Sequence, residues 1–345
     1  MPDSDAVRTA KYFIGANTSR GFINYGDSIF GDLRKLYVIK GGPGTGKSTF
    51  MKRFAKRAIE RGYEVEYYYC SSDPSSLDGV VIPKIGVGIT DGTPPHICEA
   101  RLPGAKEEYL NLGEFWNCDF LSLFRERIEE LSDKKGRFFS SAYKYLSVCE
   151  AVRNEKERVL DGCYDRDKAE RAVLRFMKNV GVGKGFSCEV RQVSAFSMSG
   201  EVCFDTYLNE CEKTVSVKDK RGISAFIFDA TLKAAEQQKL VTYVSYDALC
   251  RITAIAFPEK GIAVTMLGGD KVINTERFIN PEKLSETRKK LRFLSSLEEE
   301  LKECAMSELN EARACHFALE EIYREAMDFR SLEEMEKAFI AKVIK

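Results

Sequence analysis

Residues 41–49 read Gly41-Gly42-Pro43-Gly44-Thr45-Gly46-Lys47-Ser48-Thr49, and few backbone conformations suit that run. Glycines at alternating positions allow a tight turn whose N–H groups converge on one point, where an anion can sit. Lys47 adds a cation and Ser48 a hydroxyl able to ligate Mg²⁺, so the run reads as a phosphate-binding loop. Its surroundings agree. Leu36-Tyr37-Val38-Ile39 has the unbroken apolar character of a buried strand leading into the loop. Beyond it Phe50, Met51, Phe54, Ala55, Ala58 and Ile59 recur at helical spacing until Gly62 stops the helix. Strand, glycine loop and helix in that order predict an α/β fold of the P-loop type, a parallel sheet flanked by helices.

The chain has 345 residues, which suits two α/β cores better than one. Its composition, 44% hydrophobic and 31% charged with zero formal net charge, is that of a globular protein without the basic excess of a dedicated nucleic-acid binder. The opening MPDSDAVRTA has no apolar core, and no stretch approaches a membrane span, so a cytoplasmic protein is expected. The eleven cysteines never form Cys-x-x-Cys and there are only two histidines, which argues against a zinc site.

The order of elements is written twice. The first half starts with an expected hairpin (residues 11–16 and 22–25), then the loop strand and helix, then strands at 64–70 and 87–90. A helical region follows, with Leu121, Phe124, Ile128 and Leu131 on one face. After Gly181 come a second hairpin (192–196 and 201–204), a strand at 214–217, a helix at 225–239, strands at 241–244 and 262–265, and another long helical region. This predicts a duplicated fold with a long helical insert in each half. The expected blocks are a P-loop half at 1–117, a helical region at 118–182, a degenerate second half at 183–280 and a C-terminal helical region at 281–345. The second half is degenerate because Lys218-Asp219-Lys220-Arg221-Gly222-Ile223-Ser224 stands where the glycine loop would be, and Met266 falls near the place of Asp91.

Asp91 ends an apolar strand about forty residues after Lys47, where a P-loop fold carries the aspartate that holds Mg²⁺ opposite Ser48. Gly92 follows it, so a water-activating group has to come from elsewhere. Asp73, just past the second strand, is the candidate base, with an Asp-Pro turn as the alternative. Asp78 has less positional support. His96 is a candidate for sensing a γ-phosphate. For Arg20, in a hairpin turn, and for His316, in a helix, structural roles are the better readings.

The run from Gly41 to Thr49 resembles an uncharacterised family of bacterial tandem P-loop ATPases, as do Cys70-Ser71-Ser72-Asp73-Pro74, Leu77-Asp78-Gly79, Asp91-Gly92-Thr93-Pro94-Pro95-His96 and Asn111-Leu112-Gly113-Glu114. The resemblance covers most of the chain and implies ATP as ligand and a bacterial cytosol. The degenerate second half departs from the family. The expectation is therefore an ATP- and Mg²⁺-binding protein with slow or partner-stimulated hydrolysis at one site, its helical regions available to a protein partner. The alternatives are a small-molecule kinase and a non-hydrolysing nucleotide sensor.

Overall fold

The computed structural model describes residues 7–94 and 98–345. The first half runs through strands β1 (Thr9–Phe13), β2 (Gly15–Thr18) and β3 (Gly21–Asn24), helix α1 (Gly26–Phe30), strand β4 (Lys35–Lys40) and helix α2 (Lys47–Glu60). Strands β5 (Val65–Tyr69), β6 (Leu77–Ile82), β7 (Val87–Asp91) and β8 (Glu107–Asn111) follow, then helices α3 (Cys118–Leu123), α4 (Arg125–Asp161) and α5 (Arg166–Val180). The second half runs through β9 (Ser187–Val190), β10 (Ser194–Ser197), β11 (Gly200–Cys203), α6 (Thr206–Glu210), β12 (Lys213–Lys218) and α7 (Ser224–Gln237). It ends with β13 (Val241–Tyr246), β14 (Ile252–Phe257), β15 (Ile262–Thr265), β16 (Lys271–Asn274), α8 (Pro281–Ala326) and α9 (Phe329–Val343).

Each half builds a six-stranded sheet, and the two strand orders correspond one for one: β1-β5-β6-β7-β4-β8 and β9-β13-β14-β15-β12-β16. This agreement is compatible with duplication. The wholly parallel sheet expected from the sequence is corrected. β6 and β14 run antiparallel to both neighbours, while the other pairings in each sheet are parallel. Connection length is the reason. Between β5, β6 and β7 there is no crossover helix, and short connections can only reverse the chain. The sequence pattern shows no strand at β6 because all six of its residues are buried, so it has no alternation. The expected first hairpin strand is also two strands: β1 joins the main sheet beside β5, and only β2 and β3 form the hairpin.

The chain divides into two units, residues 1–15, 22–141 and 307–345 in one, residues 16–21 and 142–306 in the other. These units cut across the blocks drawn from the sequence, because the terminal helices are exchanged between the halves. α9, at the end of the second half, covers the first sheet. Leu332 and Ile344 are buried there with Phe50, Phe54, Ile39 and Ile89, and Met335, Phe339 and Val343 pack beside them. α5, at the end of the first half, covers the second sheet through Ala169, Val173 and Met177, against Ile227, Phe228 and Ile255. Both helices carry their apolar residues at three- and four-residue spacing. Both also open on an aspartate cap: Asp165 accepts from Lys168 N–H, and Asp328 from the N–H groups of Arg330 and Ser331.

Phe339 lies edge-on to Tyr37 (4.7 Å between centroids) and Phe50 (5.4 Å). Glu336, 2% exposed, meets Arg53 of α2 at 2.5 Å. Phe339→Ala removes a filler shared by α2, β4 and α9, with an expected cost of about 3 kcal/mol to the first unit. Native-state hydrogen exchange is the measurement: amides of α2 and β4 should exchange roughly a hundredfold faster, with those of α7 and β12 unchanged.

Candidate functional site

The Gly-rich loop joins the carboxyl end of β4, a strand flanked by β7 and β8, to the start of α2. Crevices at this edge of an α/β sheet are where ligands collect. Gly44 (φ 69°) and Gly46 (φ 90°) adopt the left-handed conformation that strains other residues. Gly44 is also pressed by backbone: a Cβ there would come within 2.6 Å of the Glu320 carbonyl oxygen. Buried Thr45 closes the turn by donating its hydroxyl to Gly42 O at 2.9 Å. The N-cap of α2 is Gly46, which has no side chain to cap the helix.

Lys47 folds back into the loop. Its Nζ donates to Gly41 O (3.2 Å) and Gly42 O (2.7 Å) and stands 3.5 Å from Asp91 Oδ2. Both side chains are nearly buried, at 13% and 11% exposure. Asp91 is brought there by register, since it pairs with Ile39 at the end of β4. Its other oxygen, Oδ1, accepts from Thr93 N–H (2.8 Å) and Thr93 Oγ1 (2.6 Å). Ser48 Oγ accepts from Leu77 N–H at 3.0 Å. Thus Lys47 and Asp91 are brought together, and Ser48 is fixed at the head of α2.

Asp73 behaves as a turn residue. Its Oδ1 accepts from Ser75 N–H (3.1 Å) and Ser75 Oγ (2.7 Å), and Lys52 of α2 holds the turn through Ser75 O. Asp78 is buried, and its charge adds to the burial that pushes the Cys70 thiol well up. Arg20 belongs to the second unit, where it lies 3.6 Å from Glu150. His96 lies outside the described residues.

What covers the outside of the loop comes from far along the chain. The end of α8 and the start of α9 lie there: the Tyr323 ring lies against Gly42, the Glu320 backbone against Gly44, and Leu332 and Phe329 against Gly46. His316, expected to be structural, lies 3.5 Å from Glu320. That hydrogen bond holds the Glu320 carboxyl below its ordinary range, with smaller help from Arg324 and Lys47. Lys135 of α4 is a part-buried cation. Burial pulls its ammonium below the ordinary lysine value, and the charge of Lys47 adds to this. One sequence signal marks Lys135: it continues the apolar stripe of Phe124, Ile128 and Leu131 toward Phe138.

In the second half, segment 219–223 between β12 and α7 is one residue shorter than 41–46. It closes on its own acid. Asp219 accepts from the N–H groups of Arg221 (3.0 Å), Gly222 (3.0 Å) and Ser224 (2.5 Å) and from Thr275 Oγ1 (3.0 Å). A carboxylate therefore sits inside the second loop, where the first loop, Gly41 to Ser48, has no acid of its own. β12 pairs with β15 in the register of β4 with β7, which puts Met266 one place beyond Thr265, in the position of Asp91.

No protein-family model matches the chain, and neither does any curated protein or solved structure compared with it. No described helix is long and apolar enough to cross a membrane.

Asp219→Ala should leave three backbone donors without their acceptor and cost the second unit about 2 kcal/mol. Denaturant unfolding followed in the second unit measures the loss.

Proposed function

We propose that the chain is a P-loop protein that binds Mg-ATP at a single site, Gly41 to Thr49, and hydrolyses it slowly or on partner stimulation. In this reading it belongs with the tandem P-loop ATPases it resembles, and it works in the cytoplasm. The observation that carries the reading is the contrast between the two loops. The second satisfies its donors with the Asp219 carboxylate, whereas Gly41 to Ser48 contains no acid and keeps a nearly buried lysine inside the turn. An anion from outside is the partner that such a loop lacks.

The residues also suit Mg²⁺. Ser48 Oγ and the Asp91 carboxylate are hard oxygen donors, and no cluster of three metal-ligating side chains occurs among the described residues. This donor set is too small for a resident metal and fits one that arrives with phosphate oxygens. Bound there, the ion would neutralise charge on the phosphates. Lys47 would leave the Gly41 and Gly42 carbonyls for the β- and γ-phosphates, and Asp91 would keep its ammonium oriented. Asp73 would have to release Ser75 before it could take a proton from water. That commitment, with Gly92 after Asp91, favours a nucleotide sensor with little turnover as the second reading.

The test is phosphate release from Mg-ATP by the full chain, with calorimetric binding in parallel. Lys47→Ala should weaken ATP binding at least tenfold. Asp91→Asn should lower turnover by about a hundredfold while retaining binding. EDTA should abolish release. Tight binding without turnover would leave the sensor, and phosphate appearing on an added metabolite would replace hydrolysis by a kinase reaction.

A further inference from the structure

The second loop supplies an acid of its own, and the flank of that loop supplies a ring of its own. α2 and α7 are both 14 residues long and start at Lys47 and Ser224, so Thr49 corresponds to Phe226. The caps Asp328 and Asp165 also correspond, since their N–H groups donate to Phe115 O and Phe278 O at the ends of matching turns. Phe329 therefore corresponds to Arg166. In the second unit these two positions are stacked on each other. The Arg166 guanidinium lies 5.3 Å from the centre of the Phe226 ring, and Tyr164 meets the same ring edge-on at 5.6 Å. Asp161 holds Arg166 there at 2.5 Å.

In the first unit one member of that stack is gone. The ring is now Phe329, the first residue of α9, and it is 41% exposed. The corresponding partner is Thr49, small and exposed. Among the described residues no aromatic ring or cation is stacked on Phe329. Its place beside the loop is set by packing: a Cβ on Gly46 would lie 3.8 Å from its ring and 3.3 Å from Leu332, which is buried in the core. The flank is also the one a nucleoside has to use. Lys47 and Asp91 mark the terminal-phosphate end, on the β7 side of β4. On the other side the sheet ends with β8, and the turn after β8 is tied to the start of α9 by the bond from Asp328 N–H to Phe115 O (2.7 Å). Phe329 follows that tie directly and lies against Gly46, where the loop turns into α2.

An exposed ring face gains free energy when a flat partner stacks on it, and every nucleobase has such a face. We propose that Phe329 is the base-binding residue of the site: the base of a bound nucleotide lies on its ring, in the place that Phe226 fills in the second unit. This rests on the reading of Gly41 to Thr49 as a nucleotide site. The second unit then fills both subsites from its own chain, the phosphate place with the Asp219 carboxylate and the base place with the Phe226 ring.

The experiment uses the full chain with Mg²⁺ and compares ATPγS with inorganic tripolyphosphate, which has the phosphates and no base, by calorimetric titration. Phe329→Ala should weaken ATPγS about tenfold and leave tripolyphosphate within about twofold, while Phe329→Tyr should keep wild-type affinity for both. Fluorescence gives a readout that a merely structural role would not move. The emission added by Phe329→Trp, measured against the single native Trp116, should be quenched by ATPγS and not by tripolyphosphate. Equal weakening of both ligands by Phe329→Ala would mean that the ring only packs the loop through Gly46, and it overturns the proposal. Wild type that binds tripolyphosphate as tightly as ATPγS also overturns it, and leaves the loop as a phosphate site. If wild type binds neither, the nucleotide reading falls, and this proposal with it.

Discussion

The first N–H groups of an α-helix have no acceptor within the helix, and here two helices start directly behind a strand flanked on both sides. Everything that separates the two halves chemically follows from how that demand is met. In the second half the residue after the strand is Asp219, and its carboxylate turns back onto the helix start. In the first half the residue after the strand is Gly41, which has nothing to turn back. There Lys47 rests on the loop's own carbonyls, and Asp91 stands across from it. The two loops thus differ first by one side chain at one register.

The exchange of α5 and α9 gives the first loop its backing. Gly42, Gly44 and Gly46 are each touched from outside by residues between 320 and 332, nearly three hundred positions away in sequence. Such contact leaves no room for a Cβ at Gly44, so the glycine is required twice, by its positive φ and by the Glu320 backbone. α4 and α8 each contribute residues to both units.

Much of this was legible in the sequence, and the gaps have physical causes. The strand, loop and helix around Lys47 were readable because local apolar spacing and glycine placement are local facts. Asp91 was placed correctly at a strand end for the same reason, and Met266 as its counterpart followed from repeated order. β6 was missed because a strand buried on both faces has no period. Asp73 looked like a base by position, yet its carboxylate prefers the Ser75 donors two residues on, a competition that Asp-Pro turns commonly win. The exchange was invisible: an amphipathic helix announces that one face is covered, never which sheet covers it.

Apart from residues 16–21, the second unit occupies one uninterrupted stretch, 142–306, while the first needs residues 307–345 to be whole. On a ribosome the chain therefore presents β4 and its glycine loop early and keeps them without their cover for most of synthesis. The later sheet already has α5 in hand when its strands emerge, so it can close before the earlier one. The half that is translated first is the half that finishes last.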